Sequence, residues 1–142
     1  MKIFTIGYED NSAEEFFSPL LENKIKKVFD IRLKPHGGGF ASKRDLPYLL
    51  SAIGKSEYDY IPEYAPSKEL FSGMKTGSLG WSKFKSEYNK MLKERNVISI
   101  FSKKRCANAC FLCYETDPNR CHRKILAEYH AKELNIPEIC HL

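Results

Sequence analysis

Apolar positions along this chain follow two alternating rhythms, one of short continuous runs and one of three-to-four spacing. Ile3-Phe4-Thr5-Ile6 reads as a buried strand closed by Gly7. Val28, Phe29 and Ile31 read as a second, which carries Asp30 and ends at Arg32. Between them, Ser12 followed by Glu15 has capping-box spacing, and Phe16, Phe17, Leu20 and Leu21 form one helical face. Pro19 lies inside that pattern, where its missing N–H predicts a kink or a shortened first turn. Pro35-His36-Gly37-Gly38-Gly39 reads as a loop. Asp45 is then expected to cap a helix with Leu46, Leu49, Leu50 and Ile53 facing inward and Gly54 as its stop. Tyr58, Tyr60 and Ile61 suggest a third strand that ends at Pro62.

From 63 to 80 no period is visible, and the segment is expected to be a long loop that could serve as a lid. Trp81, Phe84, Tyr88, Met91 and Leu92 then mark an amphipathic helix, whose stripe is better explained by core packing than by a cofactor. Val97-Ile98-Ser99-Ile100-Phe101 and the stretch from Ala109 to Tyr114 read as two more strands. A helix is expected near Asp117-Pro118, with Ile125, Leu126, Tyr129 and Leu134 inward, and Ile136 to His141 as a last strand. Strands alternating with helices predict right-handed βαβ units. The expected fold is a single α/β domain over 1–142, a three-layer, mainly parallel sheet with helices on both faces.

Composition narrows the class. With 142 residues, 42% hydrophobic and 13% aromatic, the chain can bury a core and is not disordered. No run approaches the length of a membrane span, and the opening reads as a strand rather than a signal peptide, so a cytoplasmic protein without a membrane partner is expected. The net charge of +5 is concentrated in residues 72–142. A basic half attracts anions, nucleotides or nucleic acid, although a solvated helix face explains the same charge. Five cysteines, four of them within 106–121, do not form the even, dispersed pattern of a disulfide scaffold.

In parallel sheets ligands bind beyond the carboxyl ends of the strands. The residues there are Gly7 and Tyr8, Asp30 and Arg32, and Cys113 and Glu115, followed by Cys121-His122-Arg123 near a helix start. A thiol at a helix N-terminus beside an arginine should have a lowered pKa, which makes Cys121 a candidate nucleophile or redox centre. Cys113 is its expected partner or alternative, and packing as small buried hydrophobes is the bland reading of both. His122 would serve as acid/base and Asp30 would orient it or a substrate group. Arg32 and Arg123 would clamp an anion, with Gly7, Tyr8 and Glu115 completing the substrate side. Asp30 and Arg32 could instead pair with each other at the sheet edge.

The spacing Cys106-x3-Cys110-x2-Cys113-x7-Cys121-His122 offers enough soft ligands for zinc. Cys110 and Cys113 point to opposite faces of a strand and cannot share an ion unless the backbone folds into a knuckle, so no metal and no cofactor are expected, zinc being the lesser alternative. His36-Gly37-Gly38-Gly39 resembles an esterase oxyanion loop, but no nucleophile elbow accompanies it. Cys110-x-x-Cys113 has redox spacing but sits on a strand rather than at a helix start.

Together, Thr5-Ile6-Gly7-Tyr8, Asp30-Ile31-Arg32 with Pro35, Leu112-Cys113-Tyr114-Glu115, Cys121-His122-Arg123 and the closing Ile139-Cys140-His141-Leu142 resemble the domain-of-unknown-function 488 family. The resemblance implies a small cytosolic α/β domain and a Cys-Glu…Cys-His-Arg motif, and it assigns no reaction. On that pattern the matching positions are Gly7, Asp30, Arg32, Cys113, Glu115, Cys121, His122 and Arg123. The family's usual Ser-Arg pair after the loop proline is replaced by His36 and Gly37, so Arg44 or His36 would have to take the arginine's place. The expected function is an enzyme with a thiolate and anion site for a phosphate- or carboxylate-bearing substrate. The alternative is a nucleotide or nucleic-acid binding module that uses the basic second half, notably Lys103-Lys104-Arg105. The oligomeric state is left open.

Overall fold

The computed structural model describes residues 1–35, 39–103 and 107–142. His36, Gly37 and Gly38, and the positions Lys104, Arg105 and Cys106, lie outside that description. Five strands, β1 (Lys2–Ile6), β2 (Lys27–Asp30), β3 (Glu57–Tyr60), β4 (Ala109–Leu112) and β5 (Glu138–His141), form one parallel sheet in the order β3-β2-β4-β1-β5. The helices are α1 (Ala13–Glu22), α2 (Leu46–Leu49), α3 (Lys68–Thr76), α4 (Trp81–Glu94), α5 (Val97–Lys103) and α6 (His122–Leu134). The expected α/β class with helices on both faces is the one observed.

Alternation along each strand divides the core in two. Phe4, Ile6, Val28, Cys110 and Leu112 face α1, α2 and the turn that follows α2, which contribute Phe16, Phe17, Leu20, Leu46 and Leu50. Ile3, Phe29 and Phe111 face α4, α5 and α6, which contribute residues such as Phe84, Tyr88, Val97, Phe101, Ile125 and Leu126. Burying each such side chain contributes about 1.5–3 kcal/mol. Connections leaving β1 and β2 pass over the first face, whereas those leaving β3 and β4 pass over the second. Since β4 lies between β2 and β1, neighbouring chains diverge at its carboxyl end and open a crevice there.

Four local expectations change. Residues 97–101 are helix rather than strand. Asn96 takes a left-handed turn after α4, and Val97 and Phe101, one helical turn apart, are both buried in the core. The 63–80 segment contains α3, opened by the Ser67 hydroxyl accepting from the Leu70 N–H and closed by Gly77 at φ 77°. Asp45 precedes α2 without capping it, its carboxylate being paired with Arg44. Ile53 is exposed because α2 runs on as a wider π-helical turn over Leu50–Gly54, which shifts the inward face. By contrast, α1 opens with the expected Ser12–Glu15 capping box and continues past Pro19 to Glu22, although Leu21 at its end is exposed.

Candidate functional site

The carboxyl ends of the three central strands are held level by backbone bonds, Cys113 N–H to the Ile6 carbonyl at 3.0 Å and Ile31 N–H to the Leu112 carbonyl at 3.1 Å. Above them is a pocket of about 300 Å³. Cys113 and His122 are at its floor, Tyr8, Arg32 and Glu115 on its sides, and Phe71 and Lys75 of α3 on the wall opposite. The segment read from sequence as an unstructured lid thus supplies a helical wall.

Cys113, Cys121 and His122, all buried, come together so that one ligand atom from each lies within 4.8 Å of the others. His122 Nε2 donates to the Ile31 carbonyl at 2.9 Å, since a carbonyl can only accept. That contact turns Nδ1 toward the thiols: Cys113 Sγ is 3.7 Å from Nδ1 and 3.9 Å from Nε2, and Cys121 also bonds to the ring. Cys113 Sγ also lies 3.5 Å from Glu115 Oε2. Tyr88 of α4 packs edge-on against the imidazole with centroids 5.7 Å apart. Cys110 is on the opposite face of the sheet from Cys113, as strand alternation requires.

Cys121 differs from expectation. It is at the start of α6, but it is only 1% exposed and makes no capping bond. Burial pushes its thiol well up, Cys113 adds to the rise, and His122 offsets only part of it. A helix terminus is therefore not enough to lower this pKa. Of the two sulfurs, Cys113 is the one that lines the pocket.

The two arginines are committed elsewhere. Arg32 donates from Nε and Nη2 to the Asp30 carboxylate at 2.8 and 2.7 Å, and from Nη1 to Tyr8 Oη and the Ala41 carbonyl. Burial opposes its charge, but Asp30 more than compensates and holds the proton more firmly than in a free guanidinium. Asp30 also accepts from the Tyr58 hydroxyl at 2.5 Å, so it positions Arg32 and Tyr58 rather than His122, which is oriented by the Ile31 carbonyl. Arg123 is fully buried and donates to Thr5 Oγ1 and the carbonyls of Glu115 and Thr116. It fastens the loop after β4 to β1 and has no face toward the pocket. Gly7 has a steric task, since a Cβ there would collide with the Glu115 backbone carbonyl.

Beside the paired Arg32, the pocket is lined by two exposed cations, Lys75 and Lys34. Lys75 Nζ is 3.9 Å from Glu115 Oε1. The sequence reading passed over both, along with Phe71. The Ser67 cap and the Gly77 stop that frame α3 were the available signal. On the basic second half, Lys83 pairs with Glu87, and Lys85 and Lys124 with Glu128. Among the described residues, no helix is long and apolar enough to cross a membrane.

No curated protein and no solved structure matches this chain. One family model does, described as "Domain of unknown function DUF488", and it matches residues 12–130. That span takes in β2, the Cys113–Glu115 turn and the Cys121-His122-Arg123 start of α6. The chain belongs to the DUF488 family.

Proposed function

We propose that this protein is a small enzyme acting on a phosphate- or carboxylate-bearing substrate, with the Cys113 sulfur and the His122 imidazole as its reactive centre. One observation carries the reading: a single pocket is lined by Cys113 and His122 at its base and by Lys34 and Lys75 at its mouth. The lysines attract and hold the anionic group. Tyr8, whose hydroxyl accepts from Arg32 Nη1, forms a rigid side. Cys113 meets the bound substrate, and a cysteine sulfur reacts or ligates as the thiolate. Cys121 lies behind it as a second sulfur. Arg32 and Arg123 act as struts that keep the pocket's walls in place.

Tyr8, Tyr114 and Phe71 also give the pocket aromatic walls, so nucleoside phosphates are the first substrates to try. The test is a titration with inorganic phosphate and with a nucleoside monophosphate, followed through the backbone amide resonances of residues 32–34 and 113–115. Saturable shifts that weaken several-fold in Lys75→Ala are expected. Shifts spread evenly over the lysine-rich surface, and insensitive to Lys75, would overturn the reading.

A further inference from the structure

Three soft ligand atoms, from Cys113, Cys121 and His122, are gathered in one buried place, the only such group among the described residues. We infer that these side chains bind a thiophilic divalent cation, with zinc as the natural occupant and its fourth position open to the pocket. This rests on the enzyme reading above and names what would charge the sulfur at the pocket floor.

Distance is the first support. Zinc bonds of about 2.3 Å to sulfur and 2.0–2.1 Å to nitrogen place tetrahedral S and N ligands about 3.6 Å apart. Cys113 Sγ is 3.7 Å from His122 Nδ1, near that spacing, and 3.9 Å from Nε2, so it lies beside the ring and its side chain would turn onto the Nδ1 lone pair when a metal binds. The second support is the contact behind the histidine. A metal-bound imidazole is usually anchored through its other N–H, and His122 Nε2 donates to the Ile31 carbonyl at 2.9 Å, which leaves the Nδ1 lone pair for the metal. Charge is the third. Two thiolates and a neutral imidazole around a dication make a complex of no net charge, the form a buried site tolerates.

The number of ligands indicates the role. Structural zinc sites close all four positions with protein ligands, whereas catalytic ones use three and leave one open. Cys110 faces the other side of the sheet and cannot supply a fourth. Cys113 and His122 both line the pocket, so the remaining position faces the space where Lys75 would hold an anion. An oxygen of that anion, or a water molecule, would be the fourth ligand and would be polarised by the metal.

The test uses the full chain, reduced and stripped with a chelator, then titrated anaerobically with Co²⁺, while zinc stoichiometry is read by native mass spectrometry. Binding of one equivalent is expected, with sulfur-to-cobalt charge-transfer absorption and the strong visible bands of four-coordinate geometry. Cys113→Ser and Cys121→Ser should each remove one thiolate contribution, and Cys140→Ser neither. A wild-type protein that shows no such spectrum, or a spectrum that persists in both variants, would overturn the inference. Should the variants fail to fold, the wild-type stoichiometry and spectrum still decide. Phosphate shifts in the metal-free protein without a cobalt spectrum would refute the metal site and leave the anion pocket standing. The reverse pattern would refute the pocket reading alone.

Discussion

Replacing Asp30 by Asn asks whether the Asp30–Arg32 pair is a strut or an anion clamp. Both side chains are almost wholly removed from solvent, at 0% and 4% exposure. The carboxylate accepts from the Arg32 backbone N–H, Nε and Nη2, and from the Tyr58 hydroxyl. Asparagine keeps the shape but removes the charge, and its amide N–H groups would face the Arg32 or Tyr58 donors. An uncompensated guanidinium then remains in the sheet edge, a loss of about 3–5 kcal/mol. For a domain of this length each kcal/mol shifts Tm by roughly 3–4 °C, so a fall of about 9–20 °C is expected. Urea unfolding of wild type, Asp30→Asn, Arg32→Met and the double variant would measure it, the double variant losing clearly less than the sum of the singles. A loss below about 1 kcal/mol in Asp30→Asn, the range of an exposed pair, would refute the reasoning and free Arg32 for a ligand.

Other outcomes follow from the same geometry. His130 is buried against Phe101 and Phe111, with Nδ1 donating to the Leu126 carbonyl and its pKa lowered to about 4, mainly by burial. Between its ordinary 6.5 and 4 the unfolded chain binds a proton that the folded chain refuses, so its contribution is complete above pH 6.5. About 3 kcal/mol should be lost as pH falls through that window; His130→Leu should flatten the slope of urea stability there, and an unchanged slope would contradict the assignment. Gly7→Ala forces a Cβ against the Glu115 carbonyl, backbone that cannot step aside, and should cost about 3 kcal/mol or more, read as a lower Tm. Arg123→Met leaves the Thr116 and Glu115 carbonyls without their donor and should lower Tm while phosphate affinity stays unchanged. Lys75→Ala should do the opposite, and identical behaviour of the two variants would contradict the division between strut and ligand-binding residue.

The sheet was legible because its three central strands are dense apolar runs and parallel strands leave little choice about where a site opens. Strand alternation likewise separated Cys110 from Cys113 without a structure. Residues 97–103 misled because β-branched Val97, Ile98 and Ile100 favour extended backbone locally, while the left-handed turn at Asn96 and the burial of Val97 and Phe101 favour helix. Helix α3 has only a short stripe, Leu70, Phe71 and Met74, none of it fully buried, and Pro66, Gly73, Gly77 and Gly80 around it obscure the period. The charged residues posed a deeper limit. Arginine beside a site looks the same in sequence whether its partner is a ligand, as expected for Arg32 and Arg123, or a carboxylate and main-chain carbonyls, as found. Which of two buried cysteines lines the pocket depends on tertiary packing that no local pattern records.

Cys113 lies at the base of the pocket with Cys121 shielded behind it, and the proposed function requires that pocket to bind anions. The direct measurement compares alkylation by neutral iodoacetamide and anionic iodoacetate on the folded, reduced, chelator-treated protein, mapped to each cysteine by mass spectrometry. Cys113 should label before Cys110 and Cys121, and should favour iodoacetate over iodoacetamide relative to the partly exposed Cys140, with the preference lost in Lys75→Ala. Labelling of Cys121 ahead of Cys113, or no preference for the anion at Cys113, would contradict the account.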